Sequence, residues 1–152
     1  MNPDFSRTEL LIGSKALFAL ESACVCVVGL GGVGSYAAEA LARSGIGHFV
    51  LIDFDTVGHT NLNRQLLATT ETIGTPKTHL MQARILSINP NADIVTHQEF
   101  LDSENREALI PRNAIVVDAI DSLGPKIGLL EYLAKSDIDR KSTRLNSSHG
   151  KL

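Results

Sequence analysis

Apolar positions along the chain switch repeatedly between two periods. Residues 23–28 form an unbroken apolar run of strand length that ends in glycines, the pattern of a strand buried on both faces. Residues 48–52 and 114–117 repeat that pattern and end at Asp53 and Asp118, and residues 93–97 give a weaker version. Between these runs the period is helical. Residues 35–43 are Ala-rich and stop at Gly45 and Gly47. Met81, Ile85 and Ile88 recur at i, i+4, i+7, which predicts the buried stripe of a helix capped by Thr75, opened by Pro76 and closed by Asn89-Pro90. Ser6, with Glu9 three residues on, fits a capping box and predicts a short helix that Gly13 interrupts and that resumes over 14–20. Residues 102–110 and 124–135 supply two more helical stretches, and no internal repeat is visible. Strands alternating with helices predict an α/β fold: Rossmann-like and doubly wound, a mainly parallel sheet with helices on both faces. Ligands of such sheets bind beyond the carboxyl ends of the strands, where Gly29, Asp53 and Asp118 all fall.

Composition narrows the class. The 152 residues fit one core, and 43% apolar with 20% charged residues is too apolar for a disordered chain. A net charge of -3 gives no dominant nucleic-acid-binding surface. No apolar run is long enough to span a membrane, and residues 1–11, with Asp4, Arg7 and Glu9, lack the apolar centre of an export signal. A reducing cytoplasm is the expected location. Cys24 and Cys26 lie two apart on one strand, about 7 Å from each other on the same face, too far for a bridge. Composition breaks after Ile138. Residues 139–152 carry four basic residues against one acidic, a net +3 that leaves -6 for the rest, and only Leu145 and Leu152 are large and apolar. Residues 1–138 are therefore expected to form the nucleotide-binding body, and 139–152 a non-native or disordered tail.

The turn after the first strand carries the clearest chemistry. Gly29-Leu30-Gly31-Gly32-Val33-Gly34-Ser35 satisfies G-x-G-x-x-G between a strand and a helix. Gly29 permits the tight turn, Gly31 and Gly32 let backbone approach a phosphate, and Gly34 lets helix and strand pack closely. The helix start then offers free N–H groups to an anion. Asp53, nineteen residues after Gly34, ends the second strand, where a carboxylate accepts bonds from ribose hydroxyls. These features do not separate a nicotinamide dinucleotide from ATP. Arg64 and Lys77 favour ATP, because a triphosphate must be neutralised along its length: Arg64 forks to phosphate oxygens and Lys77 adds a point charge. Asn61 and Arg64 are one helical turn apart and can face one way. Asp118 either orients the turn after the fourth strand or caps the helix that follows.

Taken in order, the glycine turn, Asp53-Phe54-Asp55-Thr56-Val57, Asn61-Leu62-Asn63-Arg64-Gln65, Pro76-Lys77 and Asp118-Ala119-Ile120-Asp121-Ser122 resemble the adenylation domain of the ubiquitin-activating-enzyme superfamily, of the ThiF type. The resemblance runs from about Phe5 to Ile138. Within that group, Phe5-Ser6-Arg7-Thr8-Glu9, the Ala-rich segment Ala37-Ala38-Glu39-Ala40-Leu41-Ala42-Arg43 and the Asp121-Ser122 pair are most similar to the tRNA threonylcarbamoyladenosine dehydratase family. That family uses ATP to activate the carboxylate of a threonylcarbamoyl group on a tRNA adenosine, which then closes into a ring with formal loss of water. Sulfur-carrier-activating branches more often have Asn where this chain has Ser122.

The resemblance implies ATP and Mg²⁺ as cofactors, with Gly29, Gly31, Gly32, Gly34, Asp53, Asn61, Arg64, Lys77 and Asp121 binding the nucleotide. It implies Arg64, Lys77, Asp121 and Arg7 as catalytic residues, Asp121 as the metal ligand, and a homodimer in which Arg7 reaches across the interface. A second arginine that relatives carry three positions before Arg7 is Asp4 here. The implied partner is tRNA bearing threonylcarbamoyladenosine. Three alternatives stay open: adenylation of a ubiquitin-like carrier protein's C-terminus, an NAD-dependent oxidoreductase, and a nucleotide-binding fragment without turnover. The relatives continue well beyond the position of Ile138.

Other motifs lead nowhere. The two cysteines lack the paired spacing of a zinc site. His48, His59, His79, His97 and His149 show no ligand spacing, and there is no G-x-S-x-G.

Overall fold

The computed structural model describes residues 3–143. After a 3₁₀ turn at Pro3–Phe5, two short helices, α1 (Ser6–Ile12) and α2 (Ser14–Ser22), lead into strand β1 (Cys24–Val28). Then follow α3 (Gly34–Ser44), β2 (His48–Ile52), a 3₁₀ turn at His59–Asn61, α4 (Lys77–Ile88), β3 (Asp93–His97), α5 (Arg106–Leu109), β4 (Ala114–Asp118), α6 (Leu123–Ala134) and β5 (Arg140–Ser142). The strands form one sheet in the order β3-β2-β1-β4-β5. Every pairing is parallel, with Cys26 opposite Val50 on one side and Val116 on the other. The chain winds outward from β1 to β3 and then returns to β4 and β5. The winding therefore reverses between the carboxyl ends of β1 and β4, which is where doubly wound sheets open a crevice.

Alternate residues of the central strand feed opposite layers. Val25 and Val27 join Phe49, Leu51, Ala38, Ala42, Met81 and Ile85 beneath α3 and α4. Cys26 and Val28 join Val50, Ile52, Val116, Leu129 and Leu133 beneath α6. The predicted helical stripe holds: Met81 and Ile85 are fully buried, and Ile88 packs against the same cluster. One ion-pair cluster ties the two helices of the first layer. Glu39 Oε1 on α3 accepts from Arg84 of α4 at 2.6 Å and from Arg43 at 3.0 Å. The Arg84 guanidinium holds the Glu39 carboxyl below its ordinary range. The tie joins the middle of α3 to the second half of α4, and it is lost as pH falls through that lowered range.

Four local readings of the sequence change. Helix α1 begins at Ser6 itself, with Phe5 as N-cap and no side-chain cap bond, so the Ser6–Glu9 capping box does not form. Helix α4 begins at Lys77 rather than Pro76, because Pro76 is held extended in an isolated antiparallel bridge with Thr56. The helix expected over 102–110 shrinks to Arg106–Leu109. Asp102 Oδ1 accepts from the Glu104 and Asn105 amides, and these local bonds displace helical ones. Finally, residues 140–142 are not part of a disordered tail. They add a strand beside β4, with the Val116 amide donating to the Asp139 carbonyl at 2.8 Å and the Thr143 amide to the Asp118 carbonyl at 3.1 Å. Backbone pairing asks nothing of the side chains, and all three are exposed. The rest of that expected tail, 144–152, lies outside the described residues.

Among the described residues no helix is long and apolar enough to cross a membrane. Both cysteines are free. Burial, helped by Cys24, pushes the Cys26 thiol up to about 12, and burial with nearby Asp93 raises Cys24 as well. At pH 8 Cys26 should therefore alkylate roughly a thousandfold more slowly in the native protein than in the unfolded chain, since the thiolate is the reacting form. Timed labelling followed by mass spectrometry reads this directly, and equal rates in the two states would refute it.

Candidate active site

The glycine turn does what its spacing predicts, with a division of labour. Gly29 has φ +92, in the left-handed region, and a Cβ there would stand 2.7 Å from the Ala119 carbonyl oxygen. A Cβ on Gly34 would collide with the Gly29 carbonyl oxygen. These two glycines let strand, turn and helix close on one another. Gly31 and Gly32 face the other way. Their nearest neighbours are side chains, the Gln65 carboxamide and the Arg64 stem, the latter 3.7 Å from where a Gly32 Cβ would sit. Both line a cavity of about 570 Å³ at the reversal point of the sheet.

Asp53 fixes that turn. Its Oδ2 accepts from the Leu30 amide at 2.7 Å and its Oδ1 from the Asp55 amide at 2.8 Å. Each carboxylate oxygen keeps a further lone pair for a ligand hydroxyl. Lys77 reaches the cavity because the chain folds back after β2. The Val57 amide donates to the Thr75 carbonyl and the Lys77 amide to the Asp55 carbonyl, laying residues 74–77 against 55–57. Lys77 is only 5% exposed, and its Nζ lies 3.6 Å from Asp55 Oδ2. Arg64 is exposed at the rim, where Nη1 donates to the Thr60 carbonyl and to Asn63 Oδ1, both at 2.9 Å. Asp121 lines the opposite wall, on the turn between β4 and α6.

The structure thus brings Gly29, Gly31, Gly32, Asp53, Arg64, Lys77 and Asp121 into one cavity. Three expected site residues stand elsewhere. Gly34 packs behind the turn. Asn61 points its Oδ1 at the Gly58 amide, 2.9 Å away, and closes the loop ahead of Arg64. Arg7 is exposed on α1, outside the cavity lining. Asp118 is not a helix cap, since Ser122 takes that place. It is fully buried and accepts from the Ile120 amide at 3.1 Å, orienting the turn.

Other contributors were not singled out from the sequence. Gln65 is 92% buried beside Gly31, and its Oε1 has no hydrogen-bond partner in the structure. Its place in the Asn61–Gln65 motif was the one available signal. Leu101, Ile52, Val28, Ala119 and Ile120 give the cavity an apolar end, edged by Phe54 and Phe100 with ring centroids 5.3 Å apart at 68°. The cavity therefore has a flat apolar end and a cationic end. This suits a ligand with a planar ring and several negative charges. Among the described residues no three His, Cys, Asp or Glu side chains cluster to hold a metal. Asp121 presents an exposed carboxylate to the cavity, a donor of the kind that, with one other at most, shares Mg²⁺ with ligand phosphates in phosphate sites.

Comparison with known proteins agrees with this geometry. The model of the ThiF family matches residues 5–148. The chain is 47% identical over 135 residues to a tRNA threonylcarbamoyladenosine dehydratase of Bacillus subtilis, covering 88% of this chain and 53% of that protein. It is 39% identical over 105 residues to the molybdopterin-synthase adenylyltransferase of Escherichia coli, covering 69% and 42% respectively. The crystal structure of the E. coli tRNA N6-threonylcarbamoyladenosine dehydratase in complex with ATP superposes with a TM-score of 0.86 at 42% identity, over 91% of this chain and 58% of that one. The chain spans about half the length of the curated relatives it matches. A glycine turn closed on Ala119, a buried lysine facing it across the cavity, and a family match over almost all of its length place this chain in the ThiF family.

Proposed function

We propose that this protein binds ATP in the cavity at the sheet's reversal point and uses it to adenylate a carboxylate. The carboxylate is that of the threonylcarbamoyl group on a modified tRNA adenosine. One observation carries the reading: Lys77 and Arg64, thirteen residues apart in sequence, converge with Gly32 on one cavity whose other end is apolar. The adenine ring fits the end formed by Ile52, Leu101 and Ile120. The ribose hydroxyls fit the spare lone pairs of Asp53, and the phosphates fit Gly31, Gly32, Arg64 and Lys77. The 47% identity to a dehydratase of that name supports the substrate.

The chemistry follows from the leaving group. A carboxylate is a poor electrophile because it would have to expel oxide. When its oxygen bonds to the α-phosphorus, the bond to the β-phosphate oxygen breaks and pyrophosphate departs with the electron pair. Lys77 and Arg64 neutralise the charge that grows on the departing oxygens. Ring closure within the threonylcarbamoyl group then expels AMP, and the net change is loss of water. Mg²⁺ bound to the phosphates would add charge neutralisation, with Asp121 as its protein ligand. We further propose a cytoplasmic homodimer. Arg7 and the neighbouring exposed Leu10, Leu11 and Phe18 on α1 and α2 form a face suited to a second copy, which would receive Arg7 at its own cavity.

The similarity to a molybdopterin-synthase adenylyltransferase favours one second reading, adenylation of a ubiquitin-like carrier protein's C-terminus. ATP–pyrophosphate exchange separates the two. Exchange should require the modified tRNA and Mg²⁺ and be abolished in Asp121→Ala, and normal exchange in that variant would remove Asp121 from the mechanism; exchange driven by a carrier protein would select the second reading. Exchange with neither substrate, while ATP still binds, would mark a nucleotide-binding fragment without turnover. Tight binding of NAD without ATP would overturn both.

Titration calorimetry tests the phosphate contacts. Arg64→Ala and Lys77→Ala should each weaken ATP about tenfold, near 1.4 kcal/mol, and leave adenosine binding within about twofold. Equal losses for ATP and adenosine would remove these residues from the phosphate end.

A further inference from the structure

Asp118 and Lys126 form a buried ion pair behind the cavity wall, and the adenylation reading uses neither. Asp118 is 0% exposed and Lys126 3%, with Nζ 2.9 Å from Oδ2. Lys126 sits in the first turn of α6. Its ammonium also donates to the Ile120 carbonyl at 3.3 Å, to the Asp118 carbonyl at 3.5 Å and to Thr143 Oγ1 at 2.9 Å. Asp118 in turn accepts from the Ile120 amide at 3.1 Å and from Ser142 Oγ at 2.7 Å. One cation therefore grips both ends of the three residues that lead directly to Asp121. Beyond Asp121, Ser122 stands at the N-cap position of the helix that carries the lysine, without a side-chain cap bond.

We infer that Lys126 is a positioning residue that holds the 118–122 turn so that Asp121 faces the cavity. A burial of this kind is poor value as stability alone. Removing two charges from water costs about as much as their attraction returns, and apolar replacements are often neutral or better. Of the four oxygens that share this ammonium's three protons, three belong to residues 118–120. They constrain the backbone that leads to Asp121. The importance of that placement for ligand binding rests on the ATP reading; the constraint on the turn does not.

The test uses the full chain with the paired substitution Lys126→Met and Asp118→Asn, which leaves no stranded charge. In the free protein, hydrogen exchange at the Ala119 and Ile120 amides, which donate to the Val28 carbonyl and to Asp118, should accelerate at least about tenfold, while Val27 and Val50 in the central strands keep their protection. Unchanged exchange at the turn would overturn the inference, as would equal acceleration everywhere, the mark of a purely structural pair. Mg²⁺-dependent ATP affinity should fall in parallel by about tenfold, and wild-type affinity with a loosened turn would also overturn it. If the unsubstituted protein binds no ATP, the nucleotide reading fails while the exchange measurement still decides the role of Lys126. If the paired variant does not fold, Asp118→Asn alone keeps the ammonium and its carbonyl contacts. Its turn amides should stay within about threefold of wild type, and a looser turn would refute the assignment.

Discussion

The molecule's working end depends on how closely three backbones meet after β1. The start of α3 lies against the carbonyl of Gly29, and Gly29 lies against the carbonyl of Ala119. No side chain fits at either crossing. This approach sets the first turn of α3 over the strand ends. It also draws the turn after β4 to within contact of the turn after β1. The bond from the Leu30 amide to Asp53 adds the end of β2. Loops from three adjacent strands are thus pinned around one opening before any ligand contact is considered.

Charge is arranged around that framework in order of burial. Asp118 and Lys126 are sealed behind the wall and act on the backbone. Lys77 is nearly as buried but reaches the opening, where Asp55 is its partner. Arg64 and Asp121 are exposed, Arg64 held at the rim by Thr60 and Asn63 and Asp121 at the end of the turn after β4. The buried groups shape the site and the exposed ones complete it. Preorganised charges of this kind lose little freedom on binding.

The sheet was legible because its inner strands are buried on both faces and read as continuous apolar runs, and even the weaker strand at 93–97 fell in place. Element ends were less legible where side chains bond to nearby backbone, as Asp102 does, or where a distant partner holds the chain extended, as Thr56 does Pro76. Strand β5 left no mark in composition, because its ladder is made by backbone groups and the one side-chain bond to β4, from Ser142 to Asp118, asks for no apolar residue. In the cavity, Asp53, Arg64 and Lys77 were legible from motif order and charge. Gln65 and Phe100 were not, since the role of Gln65 comes from burial and that of Phe100 from its meeting with Phe54, 46 residues away. Asn61 shows the opposite limit: proximity to Arg64 along the chain did not turn its side chain toward the opening, because the Gly58 amide claims it.

The contact between Lys77 and Asp55 also sets an entry threshold. The lysine already has an anion of its own, so a singly charged visitor merely swaps one partner for another and gains almost nothing. A visitor with several charges satisfies the lysine and still has negative charge left for the arginine at the rim. An acid set beside the cation thus biases the opening towards polyanions, and abundant small monoanions compete poorly for it.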